Sequence, residues 1–280
     1  MRAIPVFVIR RSHGLASLNL RELWHYRELA YFLAWRDIKV RYKQTTIGVA
    51  WVVLQPLAMM AVFSLFFGRL ANVPSDGLPY HLFVLSALLP WHLFSRTISE
   101  STTSLITDQR LITKVYFPRI IVPVSTIIAA MVDFCIIACL LFAMMLIYGI
   151  TPGLRVLWLP LFVLLLLVSS MGVGFWLSAL NVEYRDVMYT VPFLNQLWFF
   201  LTPVVYPSSL LPQQWRIFYG LNPMTGVVEG FRWCLLGKGE GLSPMVALSA
   251  IVAVSLFGSG VIWFRSRERT FADALGSTGV

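Results

Sequence analysis

Clustered charges are the first candidates for chemistry, and three groupings stand out. Glu183, Arg185 and Asp186 fall within four residues of one another in the stretch LNVEYRDV. Two carboxylates at that spacing could share acid–base work or hold a hard cation. No metal motif accompanies them, and the four histidines (His13, His25, His81 and His92) are dispersed along the chain. The group therefore reads as a tight polar turn, with Arg185 placed to pair with Glu183 or Asp186. Glu229 and Arg232 interrupt a moderately apolar piece running from Met224 to Leu236. Asp133 is the one acid deep inside a long apolar run, 120–149. An ionisable residue at that depth is a functional-site hypothesis by default. A carboxyl bonded between helices is the structural alternative. No second acid or histidine sits at depth to complete a proton relay.

Other catalytic signatures are missing. A phosphate-cradling P-loop needs Gly-x-x-x-x-Gly-Lys-Ser/Thr, and the only Gly-Lys pair, Gly237-Lys238, is followed by Gly239. No His-Glu-x-x-His and no Gly-x-Ser-x-Gly elbow occurs. Gly172 and Gly174 in MGVGF suit close helix packing instead. Cys135, Cys139 and Cys234 form neither a disulfide nor a zinc pattern. Cys135 and Cys139 share a helix face, where small apolar packing is the expectation. The chain is expected to be a non-enzyme with no catalytic centre, metal or cofactor of its own.

These residues sit in an unusually apolar chain. Of 280 residues, 58% are hydrophobic and 12% charged, against about 45–50% and about 25% in soluble domains. A membrane span needs about 20 mostly apolar residues. Six runs qualify: roughly 47–67, 80–98, 120–149, 156–180, 187–206 and 245–264. The first carries no charge from Ile47 to Gly68, although Gln55-Pro56 should kink it. At the N-terminus, Ile4–Ile9 is too short for a cleaved signal and is followed by Arg10 and Arg11.

The net charge of +9 is distributed unevenly. If the spans alternate from a cytoplasmic N-terminus, nine Lys/Arg precede the first span and four lie between Arg96 and Arg119. Arg185, Arg265, Arg267 and Arg269 also fall inside. Only Arg69, Arg155, Arg216, Arg232 and Lys238 fall outside. That is the positive-inside asymmetry of a protein with both termini in the cytoplasm. It explains the basic balance without a nucleic-acid partner.

Three segments lie between the runs. Residues 20–44 place Leu20, Trp24, Tyr31, Ala34, Trp35 and Ile38 on one side of a helix, with Arg21, His25, Glu28 and Arg36 mostly opposite. Such a helix lies in the membrane interface. Residues 99–119 are polar, and Leu105, Ile106, Leu111 and Ile112 suit a short helix standing clear of the bilayer. Residues 206–244 contain Pro207, Pro212 and Pro223, and their apolar piece is too short to span. Segments of that length are more often re-entrant. Aromatic residues, 14% of the chain, form interfacial belts (Trp24, Trp35, Trp91, Trp158, Trp215, Trp263) and a deeper set (Trp51, Phe63, Phe66, Phe67, Phe94, Trp198, Phe199, Phe200). Aromatic faces can stack on sugar rings; packing against lipid or core is the alternative.

Four stretches carry a family resemblance: RELAYFLAWRDIKVRYKQTTIGVAWVVLQP (27–56), KVYFPRIIVPVS (114–125), LNVEYRDVMYTVPFLNQLWFFLTPVVYP (180–207) and LNPMTGVVEGFRWCLLG (221–237). They resemble the membrane subunit of type-2 ABC exporters for bacterial cell-surface polysaccharides, a group covering O-antigen, capsule and teichoic-acid export. The resemblance implies an all-α integral membrane protein of the bacterial inner membrane, with six spans, cytoplasmic termini and a homodimer around a channel. It implies a cytoplasmic N-terminal part (1–45) with an amphipathic interface helix, a transmembrane domain (46–264) and a cytoplasmic tail (265–280). A segment near 101–116 would contact a separate ATPase, present in two copies, which binds ATP and magnesium. Residues 207–240 would re-enter from the outer side. The implied cargo is a glycan on a polyprenyl diphosphate lipid, O-antigen first among them.

The resemblance also implies roles for individual residues. Arg36, Lys39, Arg41 and Lys43 sit where the lipid diphosphate would arrive, and topological anchoring explains the same charges. Asp108, Arg110 and Lys114 would couple to the ATPase. Trp51, Gln55, Phe63, Phe67, Phe94, Trp198, Phe199 and Tyr206 are channel-lining candidates. Glu229 and Arg232 belong to the re-entrant segment, and Glu183, Arg185 and Asp186 to a cytoplasmic turn. The alternatives are a type-2 ABC permease for a small molecule, a membrane-embedded transferase using Glu183/Asp186, and a proton-coupled transporter using Asp133.

Overall fold

A computed structural model describes residues 24–43, 48–239, 241–268 and 270–271. The expected start of the amphipathic helix (20–23) and most of the C-terminal tail lie outside the described residues. Long helices dominate: α1 (Arg27–Lys43), α2 (Ala50–Phe63, continued by a π-helical stretch Ser64–Leu70), α3 (Tyr80–Thr107), α4 (Gln109–Lys114) and α5 (Ile121–Ile147). They continue with α6 (Leu159–Glu183), α7 (Val187–Leu201), α8 (Gln213–Tyr219), α9 (Pro223–Leu236) and α10 (Pro244–Arg267).

Five helical stretches are long and apolar enough to cross a membrane: Ala50–Leu70, Tyr80–Thr107, Ile121–Ile147, Leu154–Glu183 and Pro244–Arg267. The sixth expected span is shorter than its apolar run. Helix α7 has 15 residues, about 22 Å at 1.5 Å per residue, against a hydrocarbon core of about 30 Å. Pro203 stops it by forcing Thr202 into an extended conformation (φ −102°, ψ 141°). The chain then continues as a buried, non-helical strip from Thr202 to Val205.

Helix α3 is the central post, packed against α5, α6, α7 and α9. The polar run after Ile98 does not give only the short separate helix its composition suggests, which is α4; α3 itself runs on to Thr107. The hydroxyls explain this, because they bond back to carbonyls of their own helix: Thr102 Oγ1 to Ile98 O at 2.7 Å and Ser99 Oγ to Ser95 O at 3.0 Å. Ser101 also reaches Thr126 of α5 at 2.9 Å, a polar link of the kind that fastens helices in lipid. Nor does the stretch stand clear of the bundle. Leu105 and Ile112 join Leu33, Phe117, Phe175 and Phe264 in a second apolar core.

Helix α1 packs on the protein along the side next to its aromatic stripe. Leu33 and Ala34 are buried, with Leu29 and Ala30 packed beside them, while Trp24, Tyr31 and Trp35 are exposed. The aromatic stripe is thus separate from the face that packs on the protein. Cys135 and Cys139 also face outward rather than into packing.

A close backbone approach joins α6 and α10. A Cβ at Gly172 would stand 2.7 Å from Phe257 N, and one at Gly260 would stand 2.6 Å from Gly172 O. Small residues permit such backbone approach in membranes. Gly172→Ala is expected to lower stability by about 1–3 kcal/mol, because backbone must move to admit the methyl. Gly258→Ala supplies the control, since nothing lies within 4 Å of that position. Thermal unfolding in detergent measures both, and equal melting temperatures would contradict the close approach.

Candidate functional site

A cavity of about 1120 Å³ opens between α2, α3, α5 and α7, with the end of α1 at one side. Pro56 lies buried in its wall, where it interrupts the backbone bonding of α2. Aromatic rings line the cavity and brace one another. Phe63 stacks on Phe199 at 5.6 Å between centroids, and Trp91 meets Phe199 edge-on at 5.3 Å. Polar groups alternate with them: Gln55, His92, Ser95, Ser99, Asn195 and Gln196. Asn195 is fixed in place, donating to Ser95 O (3.2 Å) and Ser99 Oγ (3.0 Å). Rings with interspersed amides and hydroxyls suit a polar, ring-bearing molecule better than a bare hydrocarbon.

A charged cluster forms the floor. Asp133 of α5 is nearly buried, but it is not isolated. Arg96 of α3 and Tyr42 of α1 contact its carboxylate directly, and Arg41 of α1 approaches at 3.4 Å. Glu100 joins the group, accepting from Arg41 at 2.5 Å and from Arg96 at 2.9 Å. The sequence hides this second acid in the polar run after Ile98. His92 lines the same cavity. Two cations and two anions from three helices thus meet at one end of the cavity.

Below this floor, α1 is tied to the end of α3. Arg36 makes a two-pronged contact with Asp108, at 2.6 and 2.9 Å, and a further bond to Asp37 at 2.8 Å. Hydrogen bonding to Asp108 raises the Arg36 guanidinium beyond its already high range. Burial pushes the Asp37 carboxyl up, against the pull of Arg36.

At the opposite end of the cavity the strip after α7 is clasped by polar groups. Arg232 donates to Val204 O at 2.9 Å, Tyr80 Oη to Val205 O at 2.5 Å, and Asn222 Nδ2 to Thr202 Oγ1 at 3.0 Å. Arg232 is itself buried, paired with Glu229 at 3.4 Å and lying 3.6 Å over the Phe83 ring.

The family described as ABC-2 type transporter matches residues 28–236. The chain belongs to that family. The match takes in α1 to α9, and therefore the whole cavity, and leaves α10 beyond it. The O-antigen export system permease protein RfbA of Myxococcus xanthus is 31% identical over 259 residues, 91% of this chain and 98% of that relative. A protein of the same name from Klebsiella pneumoniae is 28% identical over 241 residues, covering 86% of this chain and 92% of the relative. The polysialic acid transport protein KpsM of Escherichia coli is 26% identical over 243 residues, with coverages of 83% and 91%. Family membership and the five long apolar helices make this ABC-2 transporter chain an integral membrane protein.

Within the transporter, the residues singled out from sequence separate into distinct places. Trp51, Gln55, Phe63 and Phe199 do line the cavity. Phe67, Phe94, Trp198 and Tyr206 are not among its lining residues. Phe94 is packed against Trp198, whose Nε1 donates to Asn222, and Tyr206 pairs with Tyr219. Arg41 reaches the cavity floor; Arg36 turns to Asp108, Lys39 lies over Trp35 at 5.4 Å, and Lys43 is exposed. Arg110 and Lys114 project from α4 into the open.

The LNVEYRDV turn works differently from its charge pattern. Glu183 pairs with Arg267 of α10 at 3.3 Å rather than with Arg185. Asn181, fully buried, fixes the turn: it donates to Thr102 O at 2.8 Å and accepts from Met188 N at 3.0 Å. Sequence reasoning passed over Asn181, although an amide beside a helix break is a recognised cap. Arg96, Glu100 and Trp91 were missed as cavity residues because Trp91 and Arg96 lie in a stretch that reads as span and Glu100 in the polar segment after it.

Proposed function

We propose that this chain is the permease subunit of an ABC exporter that moves a lipid-linked polysaccharide, of the O-antigen class on a polyprenyl diphosphate carrier, across the bacterial inner membrane. The observation that carries this reading is the large cavity whose braced aromatic rings alternate with amides and hydroxyls. Sugar rings slide over aromatic faces, while amides and hydroxyls exchange hydrogen bonds with their hydroxyl groups. The relatives named for O-antigen export and polysialic acid transport support the same class of cargo.

ATP is hydrolysed on a separate subunit, present in two copies, whose motion reaches this chain at Asp108, Arg110 and Lys114. Helix α1 lies at the cytoplasmic interface with Trp24, Tyr31 and Trp35 toward lipid, and both termini are cytoplasmic. Helix α7 with the strip after it completes a sixth crossing, and α8 and α9 form the re-entrant outer part. A second copy closes the open side of the cavity, where Trp51, Leu54, Phe66, Phe193 and Leu197 are exposed. Arg36, Lys39, Arg41 and Lys43 gather the diphosphate at the cytoplasmic side.

The test replaces the two cavity rings together. In a strain lacking the chromosomal gene, the Trp51→Ala/Phe199→Ala protein should accumulate in the membrane and co-purify with its ATPase. Surface glycan should fall to roughly a tenth of normal, as expected for about 1.4 kcal/mol of lost stabilisation. Full surface glycan with the double variant, or with the gene deleted, would remove the proposal.

A further inference from the structure

We propose that Arg41 and Arg96 form a phosphoanion-binding site at the cavity floor, and that Asp133 and Glu100 occupy it as internal stand-ins until an incoming phosphate group displaces them. The inference rests on reading the cavity as the path of a phosphate-linked cargo, but its test does not depend on glycan export.

The geometry of the two guanidinium groups is the starting point. Arg36 shows what a satisfied fork looks like in this protein, with two contacts to one carboxylate at 2.6 and 2.9 Å. Arg41 is divided instead between two acids, close to Glu100 at 2.5 Å and long to Asp133 at 3.4 Å. Arg96 is divided between the same two acids. Each guanidinium is therefore shared between the two carboxylates, and none of these four contacts belongs to a planar two-pronged pair. A phosphate presents several oxygens in a tetrahedron and can accept from both forks together, an arrangement that suits Arg particularly well.

The surroundings separate this cluster from a structural ion-pair network. All four side chains line the cavity rather than a close-packed core. Ser95, Ser99 and His92 lie on the same wall as Arg96, and His92 Nε2 is buried without a hydrogen-bond partner among the described residues. A phosphate oxygen supplies a partner for such donors. The cavity of about 1120 Å³ leaves room for a headgroup together with part of an attached chain.

The charges balance in both states. At rest, two guanidinium groups face two carboxylates. An arriving diphosphate brings at least two negative charges and takes over both cations. Glu100, with a side chain about a third exposed, can turn away from the incoming charge. Asp133 keeps its bond from Tyr42. Because Arg41 and Arg36 stand on one helix, about 7.5 Å apart along its axis, capture at the floor also bears on the Arg36–Asp108 contact at the end of α3.

The experiment measures binding to the full-length permease in phosphatidylcholine nanodiscs by calorimetry, with two probes, inorganic pyrophosphate and farnesyl diphosphate. Glu100→Gln, which removes a competitor but keeps the side chain's shape, is expected to tighten binding about tenfold. Arg41→Gln and Arg96→Gln are each expected to weaken it about tenfold or more, and Arg69→Gln on the outer segment should leave it unchanged. Glu100→Gln is preferred to Asp133→Asn because nearly buried Asp133 holds three partners at once. Each variant is first checked for monodispersity. Binding of both probes with this pattern assigns the site to the phosphates themselves, whatever carries them. Binding of farnesyl diphosphate alone, with the same pattern, assigns a lipid-borne headgroup. No binding of either probe, or binding that Glu100→Gln fails to tighten, overturns the site. Surface glycan is scored separately, so loss of the site leaves the exporter reading standing, and intact binding beside full glycan display in the Trp51→Ala/Phe199→Ala strain does the reverse.

Discussion

Arg232→Met is expected to leave little folded protein in the membrane. The side chain is almost wholly buried, and so is its partner Glu229. Removing one member of a buried pair leaves an uncompensated charge and costs about 3–5 kcal/mol. Val204 O loses its donor as well, at about 1–3 kcal/mol for a buried acceptor. The total approaches the whole stability of an ordinary domain, about 5–15 kcal/mol. No simple rearrangement rescues Glu229, because Gly239 already presses against it. A Cβ there would stand 2.8 Å from Oε2, and Gly239 holds φ +101°. The companion variant Arg232→Met/Glu229→Gln removes both charges and should recover a substantial part of the loss, as a double-mutant cycle reports. Membrane accumulation and melting temperature in detergent supply the readout. A single variant as stable as the parent, or a double variant no better than the single, would show that this pair does not secure the strip after α7.

The expectations that held are those that rest on bulk hydrophobicity. Five long helices coincide with five apolar runs, since a stretch free of charge for 20 residues has few other ways to satisfy its backbone in lipid. Two of the candidate rings that meet in the cavity, Phe63 and Phe199, are far apart in sequence but aligned by their helices. The misreadings have local causes. In the run 187–206 apolar composition sets no limit on helix length; Pro203 does, ending α7 at Leu201. The polar stretch after Ile98 read as a short helix clear of the bilayer because a periodicity of apolar residues cannot register hydroxyls that bond back to the carbonyls of α3. Asp133 looked solitary because Arg41 comes from α1 and Arg96 and Glu100 from α3, and only packing brings them to α5. In LNVEYRDV the charges drew attention, while the neutral Asn181 fixes the turn and Glu183 answers to Arg267.

Arg36→Ala is expected to separate transport from assembly. Arg36 is the point where α1, whose next turns reach the cavity floor, grips the far end of α3. The pair is partly exposed, so solvent weakens its contribution to stability, and the protein should still insert and bind its ATPase. The positional effect is larger. With the fork gone, motion delivered near Asp108 no longer has a charged link to α1, and ATP-driven export should fall about tenfold, corresponding to roughly 1.4 kcal/mol. Arg36→Lys should recover little, because an ammonium cannot reproduce two parallel contacts to one carboxylate. The exchange Arg36→Asp/Asp108→Arg should recover more than either single change, although the neighbouring Asp37 keeps it below the parent. Time courses of surface glycan, with ATPase activity measured in the same membranes, distinguish the outcomes. A normal export rate in Arg36→Ala, or a lysine variant equal to the parent, would place the coupling elsewhere in the chain. Continued ATP hydrolysis beside failed export would locate the break at this fork.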